Sequence, residues 1–348
     1  MAGSAPTARV PTRPLRVGLV YDRFGDAPAP PGAPPDWDAE YEPEETVAAL
    51  EAAVRHLGHE PVRVGNARAL LAAVCGGGLR LDAAVNIAEG YGSRNREAHA
   101  PILLELANVP TLGSDALSLS VSLDKHLTKT VAASAGVATP PGVVIERGGG
   151  DPGEAPGAAG LRFPVFVKPR YEGTAKGIAP SSRCDDAGAL RAEVRRQLAL
   201  YDQDLVVEAF VDGPEFTVGV VGTGGAAEAL PVLQRAVERE SGIGLHALER
   251  FETPGRPFAY SLDGDLTPDL EAALQRDALA VHRALGCRDF SRADFRAQAG
   301  RPVFIETNPL PTFAPDGTFA ILAELVGEPY PAFLAGLLAR GLARLGVT

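Results

Sequence analysis

The stretch Arg292-Ala293-Asp294-Phe295-Arg296-Ala297-Gln298-Ala299-Gly300-Arg301-Pro302-Val303-Phe304-Ile305-Glu306-Thr307-Asn308-Pro309 decides how this chain is read. Two apolar strands flank a turn at Gly300, and their ends carry two carboxylates and an amide. Glu306 and Asn308 are two apart, so on a strand their side chains leave the same face. Asp294 reaches that region from the preceding strand, and Arg292 points the same way as Asp294. Hard divalent cations take oxygen ligands, and Mg²⁺ is commonly held by one or two carboxylates, with water and phosphate completing its octahedron. Asp294, Glu306 and Asn308 are therefore candidate metal ligands, with Arg292 as a fixed positive charge beside them. Taken alone, Glu-x-Asn is also ordinary polarity at a sheet edge, so the segments upstream carry weight.

Upstream, Phe163-Pro164-Val165-Phe166-Val167-Lys168-Pro169 reads as a short buried strand ending in a lysine, followed by Glu172-Gly173-Thr174-Ala175-Lys176-Gly177-Ile178. A lysine delivered into a glycine-flanked, hydroxyl-bearing loop suits phosphate: the ammonium supplies charge, and backbone N–H groups cradle oxygens. No G-x-x-x-x-G-K-[ST] string occurs, so this is not a Walker A loop. Leu205 to Val211 and Glu215 to Val218 read as two further strands, and their glutamates, Glu208 and Glu215, suit an adenine or ribose edge.

In this order the segments resemble the ATP-grasp superfamily and, within it, the D-alanine–D-alanine ligase family, from about Val17 to about Leu337. The resemblance implies an α/β ATP-grasp fold preceded by a Rossmann-like domain, with ATP and two Mg²⁺ ions as cofactors. In the family an Asp-Lys pair opens the ATP-grasp fold and its lysine contacts the ATP phosphates; here Asp124-Lys125 matches it, with Lys129 following. Lys168 matches the second nucleotide lysine. Glu172, Gly173, Thr174 and Lys176 fall on the flexible lid, where Lys176 adds charge near the phosphates. Glu208, Phe210, Val211 and Glu215 fall where adenine and ribose are held, and Asp294, Glu306 and Asn308 fall on the magnesium ligands. Arg292 falls on the arginine that steadies the acyl phosphate and the tetrahedral oxyanion. The resemblance thus implies Arg292, Lys168 and Thr174 as catalytic residues. The implied reaction is ligation of a carboxylate to an amine through an acyl phosphate, releasing ADP and phosphate.

The chain departs from the family at its substrate segments. The family's first strand leads to a Gly-Gly-x-Ser loop with a glutamate for the first amino acid's ammonium. Here Val17-Gly18-Leu19-Val20-Tyr21 runs into Asp22-Arg23-Phe24-Gly25-Asp26 and a proline-rich stretch, leaving Glu44 or Glu45 for that role. The family's His-Gly-x-x-Gly-Glu-Asp-Gly segment becomes Glu89-Gly90-Tyr91-Gly92-Ser93-Arg94-Asn95-Arg96-Glu97. Glu89, Arg94 and Arg96 become candidate substrate residues, the arginines either as guanidinium forks for a second carboxylate or as solvated helix-start charges. After Asn308 the family's Pro-Gly-Met-Thr-like run becomes Pro311-Thr312-Phe313-Ala314-Pro315-Asp316-Gly317-Thr318, in which the Thr312 N–H can still serve the oxyanion. The expectation is poor D-alanyl-D-alanine synthesis and a bulkier or more acidic carboxyl donor.

Length and composition agree with a globular enzyme. The chain has 348 residues, enough for two or three domains. Its formal charge of -11 argues against nucleic-acid binding through a basic surface. No stretch approaches the roughly 20 apolar residues of a membrane span. The three cysteines have no metal spacing, and a reduced cytoplasm is the expected setting. The six histidines are scattered and read as surface or helix residues. The expected partners are small-molecule carboxylates and amines, with a homodimer left open. The expected divisions are a disordered tail over 1–14, a small parallel sheet with crossover helices over 15–123, a central lobe over 124–207, and a lobe with a large mixed sheet and the metal site over 208–348. A helix is expected over Arg96 to Ala107, a surface loop over Gly148 to Gly160, and a loop that closes over the substrates at Gln234 to Tyr260. Besides an amino-acid ligase, two other readings stand: an ATP-grasp ligase for a non-amino-acid carboxylate, and a silent nucleotide-binding protein.

Overall fold

A computed structural model of the chain describes residues 13–251, 258–262 and 264–348. Residues 1–12 of the expected tail and 252–257 of the expected closing loop lie outside the described residues. Arg13 lies within them and pairs with Asp82 at 2.7 Å.

The first layer runs β1 (Arg16–Tyr21), α1 (Glu44–His56), β2 (Glu60–Gly65), α2 (Ala67–Cys75), β3 (Ala83–Ile87), α3 (His99–Leu106) and β4 (Thr111–Leu112). Its sheet, ordered β2-β1-β3-β4, is parallel throughout, as expected. β1 and β3 are near-continuous apolar runs, the pattern of strands covered on both faces. α1 buries Val47, Leu50 and Val54 at the 3–4 spacing of a packed helical face. The helix expected from Arg96 divides into a 3-10 turn, Arg96–Ala98, and then α3. Pro101 has no N–H to bond the Glu97 carbonyl, so a regular α-turn cannot run through that point.

α4 (Ala116–Leu123) and α5 (Lys125–Ser134) meet at Asp124. Its carboxylate caps α5, accepting from the His126 and Leu127 N–H groups at 3.0 and 3.2 Å, and holds Arg170 at 2.8 Å. The second sheet comprises β5 (Gly142–Ile145), β6 (Val165–Pro169), β7 (Arg183–Cys184) and β8 (Leu205–Ala209), ordered β5-β8-β6-β7 and antiparallel. The expected surface loop between β5 and β6 contains a short helix, α6 (Ala155–Ala158), and α7 (Ala187–Leu200) packs Leu190 and Val194 against the sheet.

The third sheet is built from β9 (Glu215–Val221) and β10 (Glu228–Arg235); then come β11 (Val237–Glu238), α8 (Leu245–Leu248), β12 (Tyr260–Ser261) and α9 (Pro268–Ala284), before the sheet resumes with β13 (Phe290–Gln298) and β14 (Arg301–Asn308). Its order is β10-β9-β13-β14 and every pairing is antiparallel, which corrects the expected large mixed sheet. The reason is local. Ala299 and Gly300 both have positive φ, 50° and 71°, which closes a two-residue hairpin, and parallel pairing would need a long crossover instead.

Three helices cross the expected divisions. α5 sends Ala132 into the cluster formed by Phe216, Val218, Phe295 and Phe304 of the third sheet. α10 (Thr318–Leu325) and α11 (Tyr330–Arg344) return to the first layer, where Phe319, Leu334, Leu338 and Leu342 share one core with Val17, Leu19, Leu50 and Val85.

Candidate functional site

The β13–β14 hairpin sets Arg292 opposite Asn308 and Asp294 opposite Glu306. Asp294 accepts from the Thr217 hydroxyl at 2.7 Å and from Arg292 at 2.9 Å. Glu306 receives Lys125 Nζ at 2.8 Å, with Lys168 Nζ at 4.0 Å. On β8, Glu208 faces a third lysine, Lys129, at 2.5 Å and shares Lys168 at 3.3 Å. Three lysines from α5 and β6 therefore converge on two carboxylates from β8 and β14. Burial alone would raise the Glu306 carboxyl, but Lys125 and Lys168 more than offset it and hold it well below the usual range. Glu208 is lowered in the same way by Lys129 and Lys168. Burial pulls Lys129 down to about 8, and Glu208 offsets only part of that. The lysine surplus is the local charge that an anionic triphosphate would offset. Asp294, Glu306 and Asn308 offer only oxygen donors, the kind a hard cation such as Mg²⁺ takes, and Asn308 Oδ1 also accepts from the Leu310 N–H at 2.8 Å.

Beside this cluster lies a cavity with Phe166, Ile178, Phe210, Val211, Glu215 and Ile243 in its walls, and Lys168, Glu208, Asp294 and Glu306 at its polar end. Phe210 is flanked by the guanidinium groups of Arg183 and Arg296, at 4.8 and 5.8 Å from its ring centre. Glu215 is held by Arg296 at 2.9 Å and approached by His246 Nδ1 at 3.6 Å. His246 is exposed on α8, in keeping with its reading as a surface or helix histidine, and also borders the cavity. Arg296, on β13 two residues beyond Asp294, escaped notice. The alternation from Arg292 to Arg296 was its only signal.

The opposite end of the cleft is acidic. A pocket bounded by Lys125, Arg292 and Asn308 on one side has Glu40, Glu89, Glu97 and Glu172 on the other, with Gly173 and Thr174. Arg96 is 2% exposed and bonds Glu40 at 2.6 Å and the Glu89 carbonyl at 2.9 Å; the Glu89 and Glu97 carboxylates stand farther off at 3.4 and 3.6 Å. Lys176, also buried, pairs with Glu40 at 3.0 Å and with Glu172. Burial would raise Glu40, but Arg96 and Lys176 more than offset it and lower the group to about 2. Glu89 and Glu97 take the reverse course. Burial together with the neighbouring carboxylates lifts Glu89 well above its ordinary value, and burial lifts Glu97 to about 7 against the pull of Arg96.

Several expectations are corrected here. Glu44 starts α1 and turns outward to Arg23 and Arg63, at 2.5 and 2.6 Å, while Glu45 is exposed; the helix N-terminus favours acidic residues there on its own account. Glu40, four residues earlier, is the carboxylate that enters the pocket. Arg96 is no open fork, because its terminal nitrogens are spent on protein carboxylates. Arg94 is exposed and lies over the Tyr171 ring at 5.4 Å, outside the inner pocket. Lys176 points to Glu40 and not to the lysine-rich end. The Thr312 hydroxyl donates to the buried Glu42 at 2.8 Å, which ties the acceptor-side loop to the segment before α1. Glu40 was missed because Asp36, Asp38, Glu40, Glu42 and Glu44 alternate along the chain and nothing local marks which of them turns inward, while Glu97 was passed over beside the more conspicuous Arg94 and Arg96.

The glycine-flanked segment is fastened over the pocket. The Gly173 N–H donates to Glu40 at 2.7 Å, the Gly177 N–H donates to Asp36 at 3.2 Å, and Arg196 donates to the Gly177 carbonyl at 2.7 Å. Thr174 and Ala175 are held at φ 45° and 54°, a left-handed turn closed by the Lys176 N–H donating to the Gly173 carbonyl at 2.9 Å.

Comparison with known proteins agrees with this geometry. Residues 131–339 match the family described as D-ala D-ala ligase C-terminus. A D-alanine–D-alanine ligase of Cupriavidus taiwanensis is 34% identical over 68% of this chain and 69% of its own. The uncharacterized protein y4sG of Sinorhizobium fredii is 29% identical over 73% of this chain and 72% of its own. The crystal structure of D-alanine–D-alanine ligase from Bacillus anthracis complexed with ATP superposes with a TM-score of 0.69 at 18% identity, covering 96% of this chain and 99% of that one. With the matched segment spanning more than half of its length, the chain belongs to the D-alanine–D-alanine ligase family of ATP-grasp enzymes.

Proposed function

We propose that this ATP-grasp ligase joins a carboxylate to an amine through an acyl phosphate, and that its substrate pair is not two D-alanines. One observation carries the reading: the Lys125, Lys129, Lys168, Glu208 and Glu306 cluster and the Arg292, Asp294, Asn308 hairpin end border a single cleft whose far wall is made of carboxylates. The family's cofactors are ATP and Mg²⁺, and we assign two ions to Asp294, Glu306 and Asn308. Bound there, the metal would neutralise phosphate charge during phosphoryl transfer.

The chain's own groups do the rest. Lys125 and Lys168 hold the phosphates in line, and Glu208, Phe210, Val211 and Glu215 receive the adenosine. Glu172, Gly173 and Thr174 cover the reacting groups and exclude water. Arg292, anchored by Asp294, stabilises negative charge on the acyl group. The lobes follow the three sheets, at 15–123, 124–207 and 208–348, with α5 and α11 bridging them. Thr312, tied to Glu42, and the absence of a Gly-Met-Thr run after Asn308 support a rewritten acceptor pocket.

The test is ADP release from MgATP with a panel of amino acids of both configurations, presented singly and in pairs. Release that needs both a carboxylate and an amine is the expected result, with D-alanine a poor substrate. D-alanine ranking first would overturn the substrate reading, and nucleotide binding without ADP release from any pair would overturn the ligase reading.

A further inference from the structure

Three lysines stand at the cation-rich end of the cleft, but only two of them reach open space. Lys125 is in the wall of the inner pocket and Lys168 in the wall of the apolar cavity, whereas Lys129 is in neither. Lys129 is buried, and among the described residues Glu208 is the only carboxylate it pairs with. A buried cation with no access to the cleft is costly to keep, so its use lies in what it does to Glu208.

Both partners are held in place. Lys125 and Lys129 are four apart on α5, so they leave one face of that helix a turn apart. The helix is anchored at its start by the Asp124 cap and farther along by Ala132, which enters the core of the third sheet. Lys125 meets Glu306 of β14 at 2.8 Å and Lys129 meets Glu208 of β8 at 2.5 Å, so one helix face engages a carboxylate from each of the two later sheets. Glu208 is confined from the other side as well. Its ladder partner on β5 is Gly142, where an added Cβ would stand 2.9 Å from the Glu208 Cγ.

Lys168 lies between the two carboxylates, 3.3 Å from Glu208 Oε2 and 4.0 Å from Glu306 Oε2. Lys129 holds the other oxygen of Glu208, Oε1. The Glu208 charge is therefore divided, and Lys168 takes the longer of its two contacts. Without Lys129 the whole of that charge would fall on Lys168, and a lysine drawn into a buried ion pair is withdrawn from an incoming anion.

Resting on the assignment of Lys168 to the ATP phosphates, we infer that Lys129 is a positioning residue for nucleotide binding. It touches neither base nor phosphate. By neutralising Glu208 it leaves Lys168 available to pass from that carboxylate to the polyphosphate, and it keeps Glu208 in the wall of the adenosine cavity.

A double-mutant cycle read on nucleotide affinity tests this. MgATP and AMP displace a fluorescent ATP analogue from the wild type, Lys129→Met, Glu208→Gln and the double variant, and the ratio of ATP to AMP affinity isolates the polyphosphate contribution. Lys129→Met should lower that ratio about 10- to 100-fold, the range of a hydrogen bond to a charged group, because Lys168 is then spent on Glu208. Adding Glu208→Gln should restore most of the loss, since a neutral amide cannot hold Lys168 in its place. A residue needed only for folding would give the opposite pattern, with the double variant no better than Lys129→Met. That pattern, or an unchanged ratio in Lys129→Met, overturns the inference. So does an equal loss on removing Lys129 in the Glu208→Gln background, which would put Lys129 on phosphate directly. Should Lys129→Met fail to fold, the comparison of Glu208→Gln with the double variant still decides, because the inference requires those two ratios to agree. A wild type that binds MgATP no more tightly than AMP refutes the phosphate assignment itself, and with it the inference.

Discussion

The two ends of one cleft are built on opposite electrostatic plans. At the lysine-rich end, Lys125, Lys129 and Lys168 outnumber Glu208 and Glu306, and the carboxylates are held ionised by surplus cation. At the acidic end, Arg96 and Lys176 are outnumbered by Glu40, Glu89, Glu97 and Glu172, and two of those carboxylates are pushed toward their protonated form. The first plan is finished by an anion and the second by a cation. A site that needs both is suited to bringing a polyphosphate and an amine into contact across Arg292 and Asn308.

The strongest way to break this contrast is at Glu306. Glu306→Ala removes the partner of Lys125 and one of the three oxygens proposed for the metal, and turnover should fall below detection with MgATP binding weakened. Near-normal kcat in that variant, by coupled ADP assay, would refute the assignment. Arg292→Ala comes next, with a loss of about 100- to 1000-fold in kcat, as for other removed oxyanion donors, and nucleotide affinity largely kept. A parallel loss of nucleotide affinity would place Arg292 in binding and not in catalysis.

At the acidic end the largest effect is on folding. Arg96 is the common partner of three buried carboxylates, so Arg96→Met should cost about 3–5 kcal/mol in urea unfolding, the usual penalty for orphaning a buried charge. A loss below 1 kcal/mol, the range of exposed ion pairs, would mean that Lys176 and the Gly173 N–H satisfy Glu40 without Arg96.

pH sharpens the same comparison, because the two ends respond with opposite sign. The Glu97 carboxyl is raised from 4.5 to about 7, so between those values the folded state binds more protons than the unfolded one and its contribution weakens as pH rises. Glu306 is lowered, so its contribution is present above pH 4.5 and is lost as pH falls further. Chemical denaturation across pH 3.5 to 7.5 should therefore show Glu97→Gln gaining on the wild type as pH rises from 4.5 to 7, and Glu306→Gln gaining on it as pH falls below 4.5. Parallel curves for either variant would contradict the ionisation state given to it. Smallest of all, Glu44→Gln should leave kcat and KM unchanged, since Glu44 meets only Arg23 and Arg63 outside the cleft.

The same division separates what the sequence made legible from what it did not. Glu306 and Asn308 stand two apart at the end of β14, Asp294 lies on the neighbouring β13, Lys168 stands near the end of β6 and Lys125 starts α5, so local patterns mark each residue and the family resemblance joins them. The parallel sheet over β1 to β4 was legible for the same reason. The acidic end has no such grammar. Glu40 lies in a segment without regular structure, and its partners Arg96, Gly173 and Lys176 are far from it in the chain. Its inward turn is a product of tertiary packing, and the visible acids at Glu44 and Glu45 drew attention to the wrong turn of chain. The arginines at 94 and 96 failed for a related reason: sequence shows a charge but not whether the protein has already neutralised it.

One further consequence follows from where α10 and α11 pack. The core of the first sheet is closed by Phe319, Leu334, Leu338 and Leu342, which leave the ribosome only after both ATP-grasp sheets have been made. Residues 15–112 therefore precede by about 200 residues the helices that complete their core. Exposed apolar surface is what chaperones bind and what aggregation exploits, so loss of α11 would uncover the apolar face of a sheet encoded more than 200 residues earlier.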